Sequence, residues 1–216
     1  MTKAWGPLGW ATLHTIAALY PDFPSQYELE LLNRFLTSFT NTILCPSCLQ
    51  HFNDMISLYT QRYPGWKNSR STVCEFVFRA HNTVNRRTHK KIYTLEESIA
   101  ELRTIMPDDQ AAKVKRQQYL VYIRNDWMRN MTLTGISTAP KLKELNTIEE
   151  EYWSRRSFSW SDIQAFRHVN VSPINEQASV LASGGAVIPR ITMPTSGGFK
   201  LGNVGKIGPL SSLRSR

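Results

Sequence analysis

The sequence contains little cysteine, with three residues in 216. Three are too few for a small secreted scaffold in which several disulfides replace a large core. No apolar run approaches the ~18 residues that a membrane-spanning helix needs. The start, MTKAWGPLGW, is interrupted by Gly and Pro and lacks the apolar stretch of an export signal. We therefore expect neither a transmembrane segment nor a secretory signal, and a cytoplasmic location.

Acidic residues are outnumbered, with 17 Asp and Glu against 26 Lys and Arg, which gives a net charge of +9. Such an excess favours acidic partners or surfaces. No run of five or more Lys and Arg occurs, so nucleic acid is not an expected partner. Residues 169–216 have a single aromatic residue, Phe199, but seven Gly and seven Ser. This tail buries too little apolar surface to offset its ordering entropy, and we expect it to be irregular.

Apolar residues recur at spacings of three and four, which indicates helices, and no alternating strand pattern is seen. Helices are predicted over residues 8–19, from a Ser25 cap to about 43, from 45 to about 63, from about 71, and from a capping box at Thr94 and Glu97 to 106. We therefore predict an all-α fold. A compact bundle of four to five helices occupies residues 1–105, an additional helix packs on it over 106–136, and an irregular extension follows over 137–216.

The most informative motif is C-P-S-C at residues 45–48. Pro46 suits the first turn of a helix, which places Cys45 near the N-cap and Cys48 one turn in. The unpaired amides and the dipole of a helix N-terminus lower a thiol pKa, as an exchanging disulfide requires. A structural zinc site formed by Cys45, Cys48, His51 and either Cys74 or His81 is an alternative, although no second C-x-x-C completes it.

Two helices carry polar and aromatic side chains at helical spacing. Trp10 and His14 share one face, and His81 and Asn85 share another. These side chains either form hydrogen bonds within the core or contact a flat heteroaromatic ligand. Cationic residues follow the second pair, namely Arg86, Arg87, Lys90 and Lys91. They either hold a phosphate group or form a solvated helix end.

Together these motifs resemble the Erv/ALR family of FAD-linked sulfhydryl oxidases. The matching pieces are W-G-x-x-x-W-x-x-L-H at 5–14, Tyr20-Pro21, C-P-S-C-x-x-H-F at 45–52, and H-N-x-V-N at 81–85 with Lys90 and Tyr93 following. The resemblance implies a helical bundle that holds FAD, commonly as a homodimer. A dithiol substrate would pass electrons to a Cys45–Cys48 disulfide, then to flavin, then to dioxygen, which yields hydrogen peroxide.

The resemblance also implies roles for individual residues. Cys45 would meet the protein dithiol and Cys48 would lie against the flavin. The implied cofactor-binding residues are Gly6, Trp10, His14, Tyr20, His51, His81, Asn82, Val84, Asn85, Lys90 and Tyr93. The additional shuttle and structural cysteine pairs of many family members are absent here, and Cys74 is expected to be a small buried core residue.

The small cysteine set resembles family members of large DNA viruses, which would place the protein in the host cytoplasm and the virion. Within the extension, Trp153, Phe158, Trp160 and Phe166 are expected to lie on one or two short helices over 141–168, anchored on this chain or on a partner. As an alternative function, the chain is a structural component of a virion or capsid that docks through residues 137–216. We expect truncation after Ser137 to leave a soluble oxidase.

Overall fold

The computed structural model describes residues 2–43, 45–129 and 133–163, with side chains at 5–43, 45–126 and 138–163. Within these ranges the chain forms seven α-helices and no strand, as the sequence predicts. The helices are α1 (Thr2–Leu19), α2 (Gln26–Thr40), α3 (Pro46–Arg62), α4 (Arg70–Arg87), α5 (Leu95–Ile105), α6 (Asp109–Arg129) and α7 (Leu133–Glu151). A short 3-10 helix, Trp153–Arg155, follows α7.

Side-chain caps set the starts of several helices. Ser25 precedes α2, where its hydroxyl accepts from the Glu28 amide while the Glu28 carboxylate accepts from the Ser25 amide. Thr94 and Glu97 form the same reciprocal box before α5. Each box satisfies amides that the first helical turn leaves without partners. Both caps match the predicted helix starts.

Helix α1 lies at the centre of the molecule and packs against α4 and α6, while α2 packs against α7. Its side chains from Leu13 to Tyr20 are almost fully buried. The core continues through α2, α3 and α4 as one cluster of aliphatic and aromatic side chains. At roughly 1.5–3 kcal/mol for each buried large side chain, this cluster is the main source of stability.

The residues after the fifth helix are part of the same core. Tyr119 and Ile123 of α6, Leu145 of α7 and Trp153 are each at most 3% exposed. The predicted division between residues 136 and 137 falls inside α7. One helix of 19 residues stands where short helices from residue 141 were expected, because packing against α2 overrides the breaking tendency of Pro140. The predictions for residues 164–216 lie outside the described ranges.

Polar contacts also tie the extension to the bundle. Arg116 of α6 donates two hydrogen bonds from Nε and Nη2 to the carboxylate of Glu149 on α7, and both side chains are buried. Arg156 donates from Nε to the carbonyl of Leu19 at 3.0 Å, and Arg70 donates to that of Tyr20 at 2.7 Å. The last carbonyls of α1, which carries no basic residue in its last turn, are thus capped by arginines from elsewhere in the chain.

No helix in the described part of the chain is both long enough and apolar enough to cross a membrane.

Candidate redox site

Cys45 and Cys48 form a disulfide at the start of α3, with their Cα atoms 5.1 Å apart. Cys45 is the N-cap, and its Sγ accepts from the Cys48 amide at 3.3 Å. Pro46 occupies the first helical turn, as predicted. The Ser47 hydroxyl also lies 3.3 Å from the Cys45 Sγ. A sulfur in this position is stabilised as a thiolate by the helix N-terminus, so the pair is suited to thiol–disulfide exchange.

An aromatic cluster connects the C-terminal part of α3 to α4. Tyr59 of α3 contacts the rings of Trp66 and Phe76, whose ring centroids are 4.3 Å apart. Arg79 of α4 forms an ion pair with Glu75 at 2.8 Å and donates to the Tyr63 hydroxyl at 3.2 Å. Because these side chains are mostly buried, they hold the C-terminal end of the helix that carries both cysteines.

The two polar faces predicted from the sequence meet between α1 and α4. The Trp10 ring stacks on the His81 ring, with centroids 4.3 Å apart and planes 11° from parallel. His14 Nε2 lies 3.1 Å from His81 Nδ1. Phe52 of α3 contacts the Trp10 ring edge-on at 6.3 Å, which connects this group of rings to the cysteine-bearing helix. We call Trp10, His14, Phe52 and His81 the ring cluster.

The imidazoles of the ring cluster are held neutral. Burial, and then the neighbouring His81, lower the pKa of His14 well below its ordinary value. Burial and the charge of Lys90 lower the pKa of His81 to about 4. Between two neutral imidazoles, one ring nitrogen donates and the other accepts, so this hydrogen bond forms without a charge on either ring.

The cationic end of α4 adjoins this cluster. The helix ends in a Schellman motif, in which Lys90 N donates to Asn85 O at 2.8 Å and His89 N donates to Arg86 O at 3.2 Å. His89 occupies the left-handed position with φ 54°. Partial burial, and then the nearby Arg87, lower the pKa of His51 on α3. The end of α4 therefore presents exposed cations beside the redox helix.

Asn82 holds the loop after α4 rather than facing open space. Its amide donates to the Tyr93 carbonyl at 2.9 Å, and its carbonyl accepts from the Tyr93 amide at 3.1 Å. Lys91 Nζ lies 4.9 Å from the centroid of the Tyr93 ring. The Asn82 side chain thus fixes where Tyr93 stands relative to the cationic end of α4.

The remaining predicted site residues lie outside the ring cluster. Tyr20 is fully buried at the far end of α1, where its hydroxyl donates to Lys67 O at 3.0 Å. Ten residues of helix, about 15 Å, separate it from Trp10. Asn85 is buried, Val84 is half-buried against the core, and Lys90 is exposed. Gly6 lies near the start of α1, with nothing within 4 Å of the position a Cβ would take.

The predicted zinc alternative is not supported by the geometry. In the described ranges, no group of three or more Cys, His, Asp and Glu side chains is arranged to hold a metal ion. His81 is instead engaged with Trp10 and His14. Cys74 is 7% exposed, and burial raises the pKa of its thiol well above the ordinary value. It is a buried core residue, as expected.

Some contacts around the site were not predicted from the sequence. Phe52 was expected only as an apolar residue of the third helix and as part of the family motif, and Ser47 only as a letter of C-P-S-C. Thr42, whose hydroxyl donates to Phe39 O at the end of α2, was not singled out. A signal for Thr42 was its position three residues before Cys45, where a hydroxyl can cap the end of α2.

Partly exposed rings beside exposed cations can bind a flat aromatic ligand that carries phosphate groups.

Comparison with known proteins identifies the family. Residues 8–104 match the model of the Erv1 / Alr family. An FAD-linked sulfhydryl oxidase of African swine fever virus is 30% identical over 93 residues, which cover 43% of this chain and 75% of that protein. The chain belongs to the Erv1 / Alr family.

Other members of the family are similarly related. A protein of Invertebrate iridescent virus 6, named as a putative FAD-linked sulfhydryl oxidase, is 30% identical over 99 residues, 44% of this chain and 87% of its own length. The FAD-linked sulfhydryl oxidase ERV2 of Saccharomyces cerevisiae is 32% identical over 91 residues, 42% of this chain and 44% of its own. The matched region is thus about half the length of some relatives. The family match ends before α6 begins.

Proposed function

We propose that this chain is an FAD-dependent sulfhydryl oxidase that introduces disulfide bonds into protein dithiols. The observation that carries the proposal is the Cys45–Cys48 disulfide at the N-terminus of α3, the helix whose Phe52 joins the ring cluster of α1 and α4. Membership of the Erv1 / Alr family and the names of its relatives support the same activity.

The exchange step needs only the two cysteines and the helix end. A substrate thiolate attacks Cys45 Sγ, the bond between Cys45 and Cys48 breaks, and its electron pair leaves on Cys48. A second substrate thiolate then attacks the substrate sulfur of the mixed disulfide and releases Cys45 as a thiolate. The substrate loses two electrons, the cysteine pair gains them, and the protons pass to solvent. The Cys48 amide, which donates to Cys45 Sγ, stabilises this leaving group.

The residues present fit FAD. Trp10 and His81 contact each other, so a flavin would lie against the exposed side of this pair and not between the rings. The neutral His14 and His81 offer hydrogen bonds without adding positive charge. Arg87 and Lys90 suit phosphate oxygens. When bound, FAD supplies an acceptor for two electrons from the Cys45–Cys48 dithiol and passes them to dioxygen, with hydrogen peroxide as product.

The cofactor assignments of Gly6, His51, Asn82, Val84, Asn85 and Tyr93 remain part of this proposal. Tyr20 has less support, because its hydroxyl is already engaged with Lys67 O at the opposite end of α1. We propose that Asn82 acts indirectly, since both ends of its amide are occupied by the Tyr93 backbone.

Self-association and location are also proposals. We propose a homodimer whose interface lies away from the α1–α2 face that α6 and α7 cover. The viral relatives support a viral origin. Action in the host cytoplasm and packaging in the virion are further parts of this proposal. Docking to a capsid would rest mainly on residues 164–216, because residues 138–163 pack on their own chain.

The test is an absorbance spectrum of the purified protein together with oxygen consumption. We expect flavin absorbance that bleaches on addition of dithiothreitol without air and returns when air is admitted. Hydrogen peroxide should appear in proportion to the dithiol consumed. Protein that contains no flavin after reconstitution with FAD, and consumes no oxygen, would show that the proposal is wrong.

A further inference from the structure

A buried hydrogen-bond chain connects α6 to the segment that precedes the redox cysteines. The Tyr119 hydroxyl lies 2.6 Å from Thr42 Oγ1, and Thr42 Oγ1 donates to Phe39 O at 2.6 Å. Because the single Thr42 hydrogen is used on that carbonyl, Tyr119 is the donor to Thr42. Tyr119 and Thr42 are both 0% exposed, so neither hydroxyl has water as an alternative partner.

The Tyr119 ring also packs against neighbouring helices. It stacks on the Phe39 ring of α2, with centroids 5.3 Å apart and planes 24° from parallel. A Cβ built at Gly9 of α1 would lie 3.7 Å from Tyr119 Cε2. One side chain of α6 therefore contacts both helices next to the site, including α1 at the residue before Trp10.

Thr42, which accepts the hydrogen bond from Tyr119, is close to Cys45 in sequence. Thr42 precedes Cys45 by three residues, so their Cα atoms are at most ~11 Å apart. The turn at the end of α2 is closed by Thr42 N and Oγ1 on Phe39 O and by Ile43 N on Thr40 O. Fixing Thr42 thus restricts where the chain can place Cys45 at the N-cap of α3.

We propose that Tyr119 is a positioning residue for Cys45: through Thr42 it holds the end of α2 so that the Cys45 sulfur stays at the N-terminus of α3. Tyr119 lies outside the region that matches the family, residues 8–104. The extension would therefore contribute to the chemistry of the cysteine pair and not only to stability. The consequence for turnover rests on the proposed function, whereas the effect on the thiol itself does not.

The test compares hydroxyl-deleting and hydroxyl-keeping variants of the full chain. Tyr119→Phe and Thr42→Val each remove one side of the contact, and Thr42→Ser keeps the hydroxyl. Thr40→Val is the matched control, because Thr40 is also buried and its hydroxyl hydrogen is used on Leu36 O at 2.7 Å. On reduced protein, the rate of iodoacetamide alkylation at Cys45 is measured against pH, with the site located by mass spectrometry.

We expect Tyr119→Phe and Thr42→Val to slow Cys45 alkylation at pH 7 by roughly three- to tenfold, since a sulfur that leaves the helix end loses part of its thiolate stabilisation. The midpoint potential of the Cys45–Cys48 couple in glutathione buffers should become more negative. The double variant should add little to either single one, and Thr42→Ser and Thr40→Val should resemble the wild type.

Two results would overturn the proposal. In the first, Tyr119→Phe lowers only the melting temperature and leaves the alkylation profile and the potential unchanged, which indicates a structural role alone. In the second, Thr40→Val shifts alkylation as much as Thr42→Val, which indicates general loosening of α2. Both readouts are obtained without FAD or oxygen. A wild-type protein without oxidase activity would therefore refute the proposed function and leave this test intact.

Discussion

His14 Nε2 lies 3.1 Å from His81 Nδ1, so one hydrogen bond between two neutral imidazoles joins α1 to α4 beside the redox disulfide. Neither ring carries a charge that the other must balance. The contact is consequently sensitive to protonation of either partner, and its strength depends on pH.

The first prediction is that stability falls in mild acid. At pH 7.5 and above these histidines, with an ordinary pKa of ~6.5, are almost entirely neutral in both the folded and the unfolded chain, so they do not lower the free energy of unfolding. As the pH falls from 6.5 towards 4, the unfolded chain takes up protons that His81 does not accept until about pH 4. The free energy of unfolding should therefore decrease by about 1.4 kcal/mol per pH unit for each such histidine.

Urea denaturation of the flavin-free protein at pH 7.5, 6.0 and 5.0 measures this slope. At pH 7.5 the His81→Gln protein should have a lower free energy of unfolding than the wild type. Between pH 6.0 and 5.0, however, its free energy of unfolding should decrease by less than that of the wild type. An equal slope in both proteins would mean that His81 is already protonated in the folded state.

The second prediction separates the roles of the two cysteines. Cys48→Ser should abolish oxygen consumption with any dithiol, because the pair can no longer be reduced and re-oxidised, yet FAD content should remain near that of the wild type. Cys45→Ser should also stop turnover. Only the Cys45→Ser protein should retain a thiol able to perturb the flavin spectrum. Near-normal oxidase activity of Cys48→Ser would contradict the mechanism.

The third prediction revises the expectation that residues after Ser137 are dispensable. Leu142, Leu145, Ile148, Trp153, Trp160 and Ile163 are all buried. At about 1.5–3 kcal/mol for each large side chain, their loss exceeds the typical net stability of 5–15 kcal/mol or consumes most of it. Truncation after Ser137 should give aggregated protein, whereas truncation after Ile163 should give a cooperative melting transition. A soluble, folded product ending at Ser137 would contradict this prediction.

The fourth prediction concerns Arg116 and Glu149, the buried ion pair between α6 and α7. Glu149→Gln should cost about 3–5 kcal/mol, because it leaves the Arg116 charge buried without its partner. The double variant Arg116→Met with Glu149→Leu should cost much less. Urea denaturation of both provides the measurement. As a control, Glu144→Gln breaks the exposed pair with Arg34 and should change stability by about 1 kcal/mol or less.

The fifth prediction concerns His89, which occupies the left-handed position after α4. Glycine adopts this conformation without steric cost, so His89→Gly should stabilise the protein by about 1 kcal/mol. The neighbouring Thr88 has φ −99°, and Thr88→Gly should destabilise it. Thermal melting of the two variants compares glycine at two adjacent positions that differ in backbone conformation. A melting temperature of His89→Gly below that of the wild type would count against the conformational argument.

Local signals in the sequence located the first six helices, although α1 begins at Thr2 and not at the predicted residue 8. Ser25 and Thr94 begin capping boxes, and Pro46 follows an N-cap cysteine, so the starts of α2, α3 and α5 could be read directly. Helix α7 could not be located, because Gly135 and Pro140 oppose helix formation and packing on α2 and α6 compensates. Local propensity carries no information about those contacts.

The site was predictable in the same partial way. Helical spacing put Trp10 with His14 and His81 with Asn85, but it did not show that these two faces meet. Nor did it show that Asn82 bonds the Tyr93 backbone. The contribution of Tyr119 was not visible either, since it depends on a contact across 77 residues between α2 and α6. Such pairings follow from the tertiary arrangement and not from any local pattern.

The burial of Cys74 makes the chain a convenient reporter of its own oxidation state. Because this thiol is shielded and its pKa is raised, a small alkylating reagent applied to the native protein should modify only Cys45 and Cys48, and only when they are reduced. Intact mass would then show no added group for the oxidised protein and two for the reduced protein, and denaturation would add one more group, at Cys74, to each. The progress of a catalytic cycle could be followed by counting labels, without a flavin signal and without mutating any cysteine.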